Sequence, residues 1–233
     1  ILMIRTMKTK IGLLLAIGAL TLTTSCTDLD TPVNSQYTTF PNSEVALEAQ
    51  LSSVYNQLRG VLGRRYMEAM ALSSDEETAV SYSGGWVDAD AYSHPTLHNY
   101  SYEDATIDWM GELGAGCVKA NEIIQSQADE KKYKAPARAM RAYFEFIMMD
   151  CWGDAPIIDP SLDGQINISD RQPRGDVARW IEKELLDVIP LLPTETGSAY
   201  YGTATKYMAQ ALLAKLYINW PVYTAASVDQ YDA

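Results

Sequence analysis

Apolar residues recur at steps of three and four along most of this chain, and no stretch alternates with period two well enough to mark a strand. Leu47, Leu51, Val54, Tyr55 and Leu58 draw one apolar face, which predicts a helix from about Ser43 that ends near Gly60 or Gly63. Helical patterning returns over about 106–127, where Gly111, Gly114, Ala115 and Gly116 weaken intrinsic helicity but admit a close neighbour. Met140, Tyr143, Phe144, Ile147 and Met148 form a third stripe, stopped by Gly153 to Pro156. Val177, Ile181, Leu185 and Val188 form a fourth, ended by Pro190 and Pro193. In the last run, Ala204, Ala211 and Ala214 alternate with Tyr207, Met208, Leu212, Leu213 and Leu216, as closely paired helices require. The pattern predicts an all-α chain of helix pairs joined by short turns, in a tetratricopeptide-style array.

Two segments break the helical period. Residues 27–43 (TDLDTPVNSQYTTFPNS) are polar and read as a tether and arm. Between Leu72 and Tyr102 about thirty residues run without a core pattern, and loops of that length inside a compact domain are more often functional than connective.

Composition sharpens this picture at the N-terminus. Residues 1–10 are basic and 11–22 form an apolar run, which is the layout of an export signal and too short for a spanning helix of roughly 20 residues. The chain begins with Ile, so the expected start codon is Met3 or Met7. Cys26 falls where cleavage is expected, and the stretch resembles the lipobox of bacterial lipoproteins, which makes Cys26 the expected lipid anchor. Thr23 stands where that pattern carries Leu, with Leu22 one step further out. Cys117 and Cys151 sit among apolar neighbours in predicted helices and read as two buried thiols, with pairing as the alternative.

The formal net charge is −12, and without residues 1–25, which hold three bases and no acid, it is −15. Such a surface excludes nucleic acid as the expected partner, since phosphate binding needs a basic face. The chain carries 15 Tyr and 5 Trp against 3 Phe, so most rings have a polar edge suited to wet, flat surfaces.

Candidate catalytic and metal groups are few. Asp75, Glu76 and Glu77 are adjacent, and adjacent carboxylates rarely face one glycosidic bond as a hydrolase needs. His94 and His98 are separated by Pro95, which works against a one-turn helical metal pair. Nucleophile-elbow, phosphate-loop and dinucleotide signatures are missing from the sequence, so neither an enzyme nor a cofactor is expected.

Several segments taken in order carry a resemblance: "CTDLDTP", "ALEAQLSSVYNQLRG", "SSDE", "KANEII", "ARAMRAYFEFIMMDCWGDAPII", "RQPRGDVARWIEKELLDVIPLLP" and "GTATKYMAQALLAKLYINW". Together they resemble the SusD/RagB-like outer-membrane glycan-binding lipoproteins. The resemblance implies an all-α fold of tetratricopeptide-like helix pairs with long irregular loops. It divides the chain into a signal peptide (1–25), a tether (26–42) and a helical domain (43–233) with a loop over 73–102. Members of the family are longer, which makes this an expected N-terminal fragment, with "VDQYDA" opening a further helix.

For function, the resemblance implies a surface-exposed, lipid-anchored outer-membrane protein. It would bind oligosaccharides and deliver them to a SusC-like TonB-dependent transporter, without catalysis and without a cofactor. The alternative is a scaffold of the same architecture that touches no sugar. A sugar offers an apolar face of C–H groups and a belt of hydroxyls, so its site needs flat rings and a few amides or carboxylates. The long loop holds that mixture in Tyr82, Trp86 and Tyr92 with Asp88 and Asn99, beside Gly84 and Gly85. Trp109, at a helix start, is read as packing.

Overall fold

The computed structural model describes residues 42–74, 76–78, 93–101, 104, 108–160 and 170–225. Cys26, Asp75, Tyr82, Trp86, Asp88 and Tyr92 lie outside the described residues. Among the described residues the regular structure is helical, apart from one antiparallel bridge between Ala155 and Gln172.

Helix α1 (Glu44–Gly60) starts where Ser43 Oγ accepts the Ala46 N–H at 3.3 Å, satisfying one of the orphan donors of the first turn. Its α-helical bonding ends at Gly60, where the sequence predicts, but the chain does not turn away there. Gly60 stays right-handed, at φ −68° and ψ −45°, and the chain runs through a single π-helical turn (Val61–Arg65) into α2 (Tyr66–Ser73). Gly60 serves contact instead: a Cβ there would sit 3.3 Å from the Glu112 carboxylate on α4 (Met110–Gln125). After α2 comes one described helical turn, α3 (Ser93–Thr96).

Helix α4 opens at Met110, a turn later than its sequence pattern suggests, with Trp109 before it buried to 2% exposure. That indole packs edge-on against Trp152 at 4.6 Å and Tyr66 at 6.4 Å between ring centres, so its expected packing role holds. The small residues of α4 act unequally. A Cβ at Gly116 would come within 2.7 Å of the Phe144 ring and one at Gly114 within 3.4 Å of Ile158, whereas Gly111 meets nothing. Gly116 is therefore what lets α4 lie against α5 (Ala135–Trp152).

A second π turn (Glu130–Lys134) leads into α5, just ahead of Pro136. Proline lacks an N–H and its ring crowds the carbonyl four residues back, so a widened turn accommodates it. Helix α5 is the centre of the fold. It packs on α4 and on α6 (Arg174–Val188), and from Ala135 to Met149 nearly every residue is buried. It ends at Gly153, whose φ of +77° favours glycine. Helix α6 has no side-chain cap of its own; Asp154, from the segment after α5, accepts the Arg174 N–H at 2.9 Å. Helices α7 (Lys206–Ile218) and α8 (Trp220–Thr224) pack against α6. Each helix thus rests mainly on a near neighbour, as in a solenoid of helix pairs.

Two charged residues of α5, Arg141 and Glu145, lie in its buried stretch and must find partners there. Arg141, 2% exposed, donates to Asn121 Oδ1 on α4 at 2.7 Å and to Glu184 Oε1 on α6 at 2.8 Å. It also donates to both oxygens of Asp159 at 3.1 and 3.3 Å. Arg138 completes the cluster with a two-pronged contact to Glu184 at 2.9 and 2.8 Å. One turn on, Glu145 is fully buried and accepts the Ile158 N–H at 2.7 Å, while Asn121 Nδ2 donates to the Ile158 carbonyl at 2.9 Å. Asn121 of α4 and Arg141 and Glu145 of α5 therefore grip Ile158 and Asp159, while Glu184 of α6 ties Arg141 to Arg138.

Glu145 Oε2 is buried without a partner, and burial pushes the carboxyl up to about 8, against the smaller opposing effects of the Ile158 N–H and Arg141. At neutral pH the group is largely protonated in the folded chain and ionised in the unfolded one. The folded state binds more protons between about pH 4.5 and 8, so this group's contribution to stability is full below the unfolded value and lost as pH rises through the folded one. Glu145→Gln keeps the acceptor for Ile158 and abolishes the titration. Thermal melts at pH 5 and pH 8 are expected to differ less in this variant than in wild type, by about 3 °C or more. An unchanged pH dependence would show that Glu145 titrates normally.

Candidate functional site

The loop singled out by sequence is described at its C-terminal stem. His94 on α3 lies 2.7 Å from Asp104, Nδ1 to Oδ1, and the other Asp104 oxygen accepts the Ser101 N–H at 2.5 Å. Those two contacts, the Ser101 N–H first, hold the Asp104 carboxyl below its usual range. The partner of His94 is thus a carboxylate and not His98, which sits at φ +55° in the turn that closes α3. Among the described residues no group of three or more His, Cys, Asp or Glu side chains is gathered as a metal site would need.

Asn99 follows directly. Its N–H donates to the His94 carbonyl at 3.1 Å and its side chain is exposed, as is that of Tyr100 beside it. The pinned turn presents an amide and a phenol together, a pairing of which sequence reading marked only the amide. The other loop candidates, Tyr82, Trp86, Asp88 and Tyr92, fall outside the described residues, as does Cys26. Glu76 and Glu77 are exposed.

Two open grooves border α1 elsewhere. One, of about 780 Å³, runs between Leu51 and Tyr55 of α1, the π turn at Lys131 and Lys132, and the segment from Pro190 to Glu195. Its floor is leucine and proline, and Lys132 on its rim pairs with Glu44 and Glu48. The other, about 420 Å³, is an apolar slot between α1, α5 and α7 lined by Leu58, Met140 and Met208. Tyr55 borders both, with its hydroxyl accepting the Ala204 N–H at 3.1 Å. The slot is mainly apolar, whereas the larger groove is bordered also by Glu48, Ser52, Lys131, Thr194, Glu195 and Thr203.

Reactive nucleophiles are not offered by the cysteines. Both Cys117 and Cys151 are free thiols. Burial pushes the Cys117 thiol well up, with Glu145 adding to it, and burial with Asp150 raises Cys151 to about 12. Both stay protonated and inert near neutral pH. Among the described residues no helix is long and apolar enough to cross a membrane.

Comparison with known proteins follows this geometry. The chain is similar in structure to a laminarin-binding SusD-like protein, with 20% identity, a TM-score of 0.62, and 78% of this chain aligned to 41% of that one. A SusD-like protein from Bacteroides fragilis NCTC 9343 aligns at 18% identity and a TM-score of 0.56 over 81% of this chain and 38% of its own. A SusD superfamily protein from Bacteroides vulgatus ATCC 8482 gives 18%, 0.57, 82% and 46%. The chain therefore spans less than half the length of these structures, and at such identities the likeness is one of fold. No curated protein matches it. A model of the SusD-like family, described as "Starch-binding associating with outer membrane", matches residues 29–218. With the model covering most of the sequence and the helical array matching its solved members, the chain belongs to the SusD-like family.

Proposed function

We propose that this protein is a surface lipoprotein that binds oligosaccharides and hands them to a SusC-like TonB-dependent transporter of the outer membrane, by binding alone and without catalysis. The observation that carries the reading is the match of residues 29–218 to a family described as starch-binding and associated with the outer membrane. The chemistry of the long loop supports it. Trp86, Tyr82 and Tyr92 supply the flat rings, and Asp88 and Asn99 the hydroxyl partners, that a pyranose requires. Asn99 is exposed on a turn pinned by His94 and Asp104, so part of that set is pre-positioned. Cys26, behind a basic and apolar leader, is the proposed lipid anchor; several acyl chains on one residue hold firmly where one alone would not.

Isothermal titration with a panel of oligosaccharides is expected to find at least one ligand. Trp86→Ala and Tyr82→Ala should each weaken it by about tenfold, the loss of one stacking contact. Unchanged affinity in both variants would sink the loop site, and unchanged transporter association with no sugar binding in wild type would favour the scaffold reading.

Anchoring has its own test. Mass spectrometry of the membrane fraction is expected to find Cys26 acylated, and Cys26→Ser should move the protein out of that fraction. A Cys26→Ser protein that stays membrane-bound would overturn the assignment.

A further inference from the structure

A third groove, of about 590 Å³, opens where α4, α5 and α6 meet, and unlike the two grooves beside α1 it is lined by a tryptophan. Its wall carries Trp180 of α6, a half-buried indole lying off the apolar stripe of Val177, Ile181, Leu185 and Val188 that faces the core. The ring is held at two places. Its Nε1–H donates to Asp159 Oδ2 at 3.3 Å, and the Arg141 guanidinium lies over it at 5.2 Å from the centroid. An aromatic platform fixed by a hydrogen bond and a cation costs little entropy when a ligand settles on it.

Around that ring the groove gathers polar side chains of both signs. Glu130 and Lys134 come from the π turn before α5, Gln125 from the end of α4, and Lys183 from α6. Most of the charges are already paired. Both guanidinium groups bordering the groove are spent on carboxylates, Arg138 on Glu184 and Arg141 on Glu184 and Asp159, and Lys183 Nζ donates to Asp187 at 2.6 Å. Apart from Lys134, the cations of the groove would have to give up those pairs to bind a phosphate or other anion. A neutral ligand that needs a flat ring beneath it and amide, carboxylate and ammonium partners at its edge would leave them intact. The volume falls within the range of small-ligand sites, roughly 300–1,000 Å³.

We propose that this groove is a saccharide subsite separate from the long loop, in which Trp180 stacks against a neutral pyranose whose hydroxyls are met by Gln125, Glu130 and Lys134 on the rim. The class of ligand rests on the glycan-binding reading above; the site itself rests on the groove and its locked indole. Two subsites on one chain would let a long glycan be held at two points, which raises avidity without a tighter individual contact.

The test is a titration of ¹⁵N-labelled full chain, following the indole N–H signals of its 5 Trp, with maltohexaose, laminarihexaose and cellohexaose as probes. Single Trp→Phe variants assign the signals. The Trp180 signal is expected to shift saturably with at least one probe, at a Kd of about 1 mM. The shift should persist in Trp86→Ala, and Gln125→Ala, on the exposed rim, should weaken it about threefold without changing the spectrum of the free protein. A Trp180 signal unmoved by all three probes while that of Trp86 responds would overturn the subsite and leave the loop site standing. Movement of Trp180 without Trp86 would support the subsite and count against the loop. No movement of either would refute both.

Discussion

A guanidinium with almost no access to water must be surrounded by acceptors, and meeting that requirement at Arg141 is what joins the parts of this fold. Its donors reach Asn121 on α4, Glu184 on α6 and Asp159 in the segment after α5, so one side chain ties two helices and a connection to the central helix. Desolvating such a group costs several kcal/mol, and only the near-complete set of partners offsets it. Removing one carboxylate would therefore leave a buried charge exposed to the full penalty, which makes the cluster intolerant of piecemeal change.

The same cluster shapes the surface above it. Asp159 holds Arg141 with both oxygens and accepts from the Trp180 indole with one of them, so the position of an aromatic ring at the groove depends on the buried ion pairs beneath. Glu145 and Asn121 act on the neighbouring residue, gripping the N–H and carbonyl of Ile158. The described stem after the long loop is held by a different and more exposed device, the His94–Asp104 pair beside the turn carrying Asn99. The groove at Trp180 is thus built on the buried core, and Asn99 stands on a surface turn.

Much of the architecture was legible in the sequence, because amphipathic stripes report directly on which face is buried. The stripes of α5 and α6 are buried as their spacing indicates, and Trp109 packs as its place at a helix start suggests. Reading failed where a residue's meaning depends on a neighbour far along the chain. Gly60 looks like a point where the chain turns away, yet it is right-handed, lies against Glu112, and passes straight into a π turn. Arg141 and Glu145 look like solvent-facing charges on an amphipathic helix, but the faces of α5 that carry them are covered and they are buried with partners 13 to 43 residues away. Trp180 escaped notice for a related reason: an indole flanked by Arg179, Glu182 and Lys183 reads as incidental surface until the groove beside it is seen. Family resemblance was visible because several segments kept their order, and that order is what the family model matches.

The claim that this chain is a glycan-binding protein is tested most directly by native electrophoresis of the chain through gels cast with individual polysaccharides, including starch and laminarin. The account predicts that at least one of them retards migration relative to a non-binding control protein. Equal mobility in every gel, with the chain shown to be folded, would contradict it.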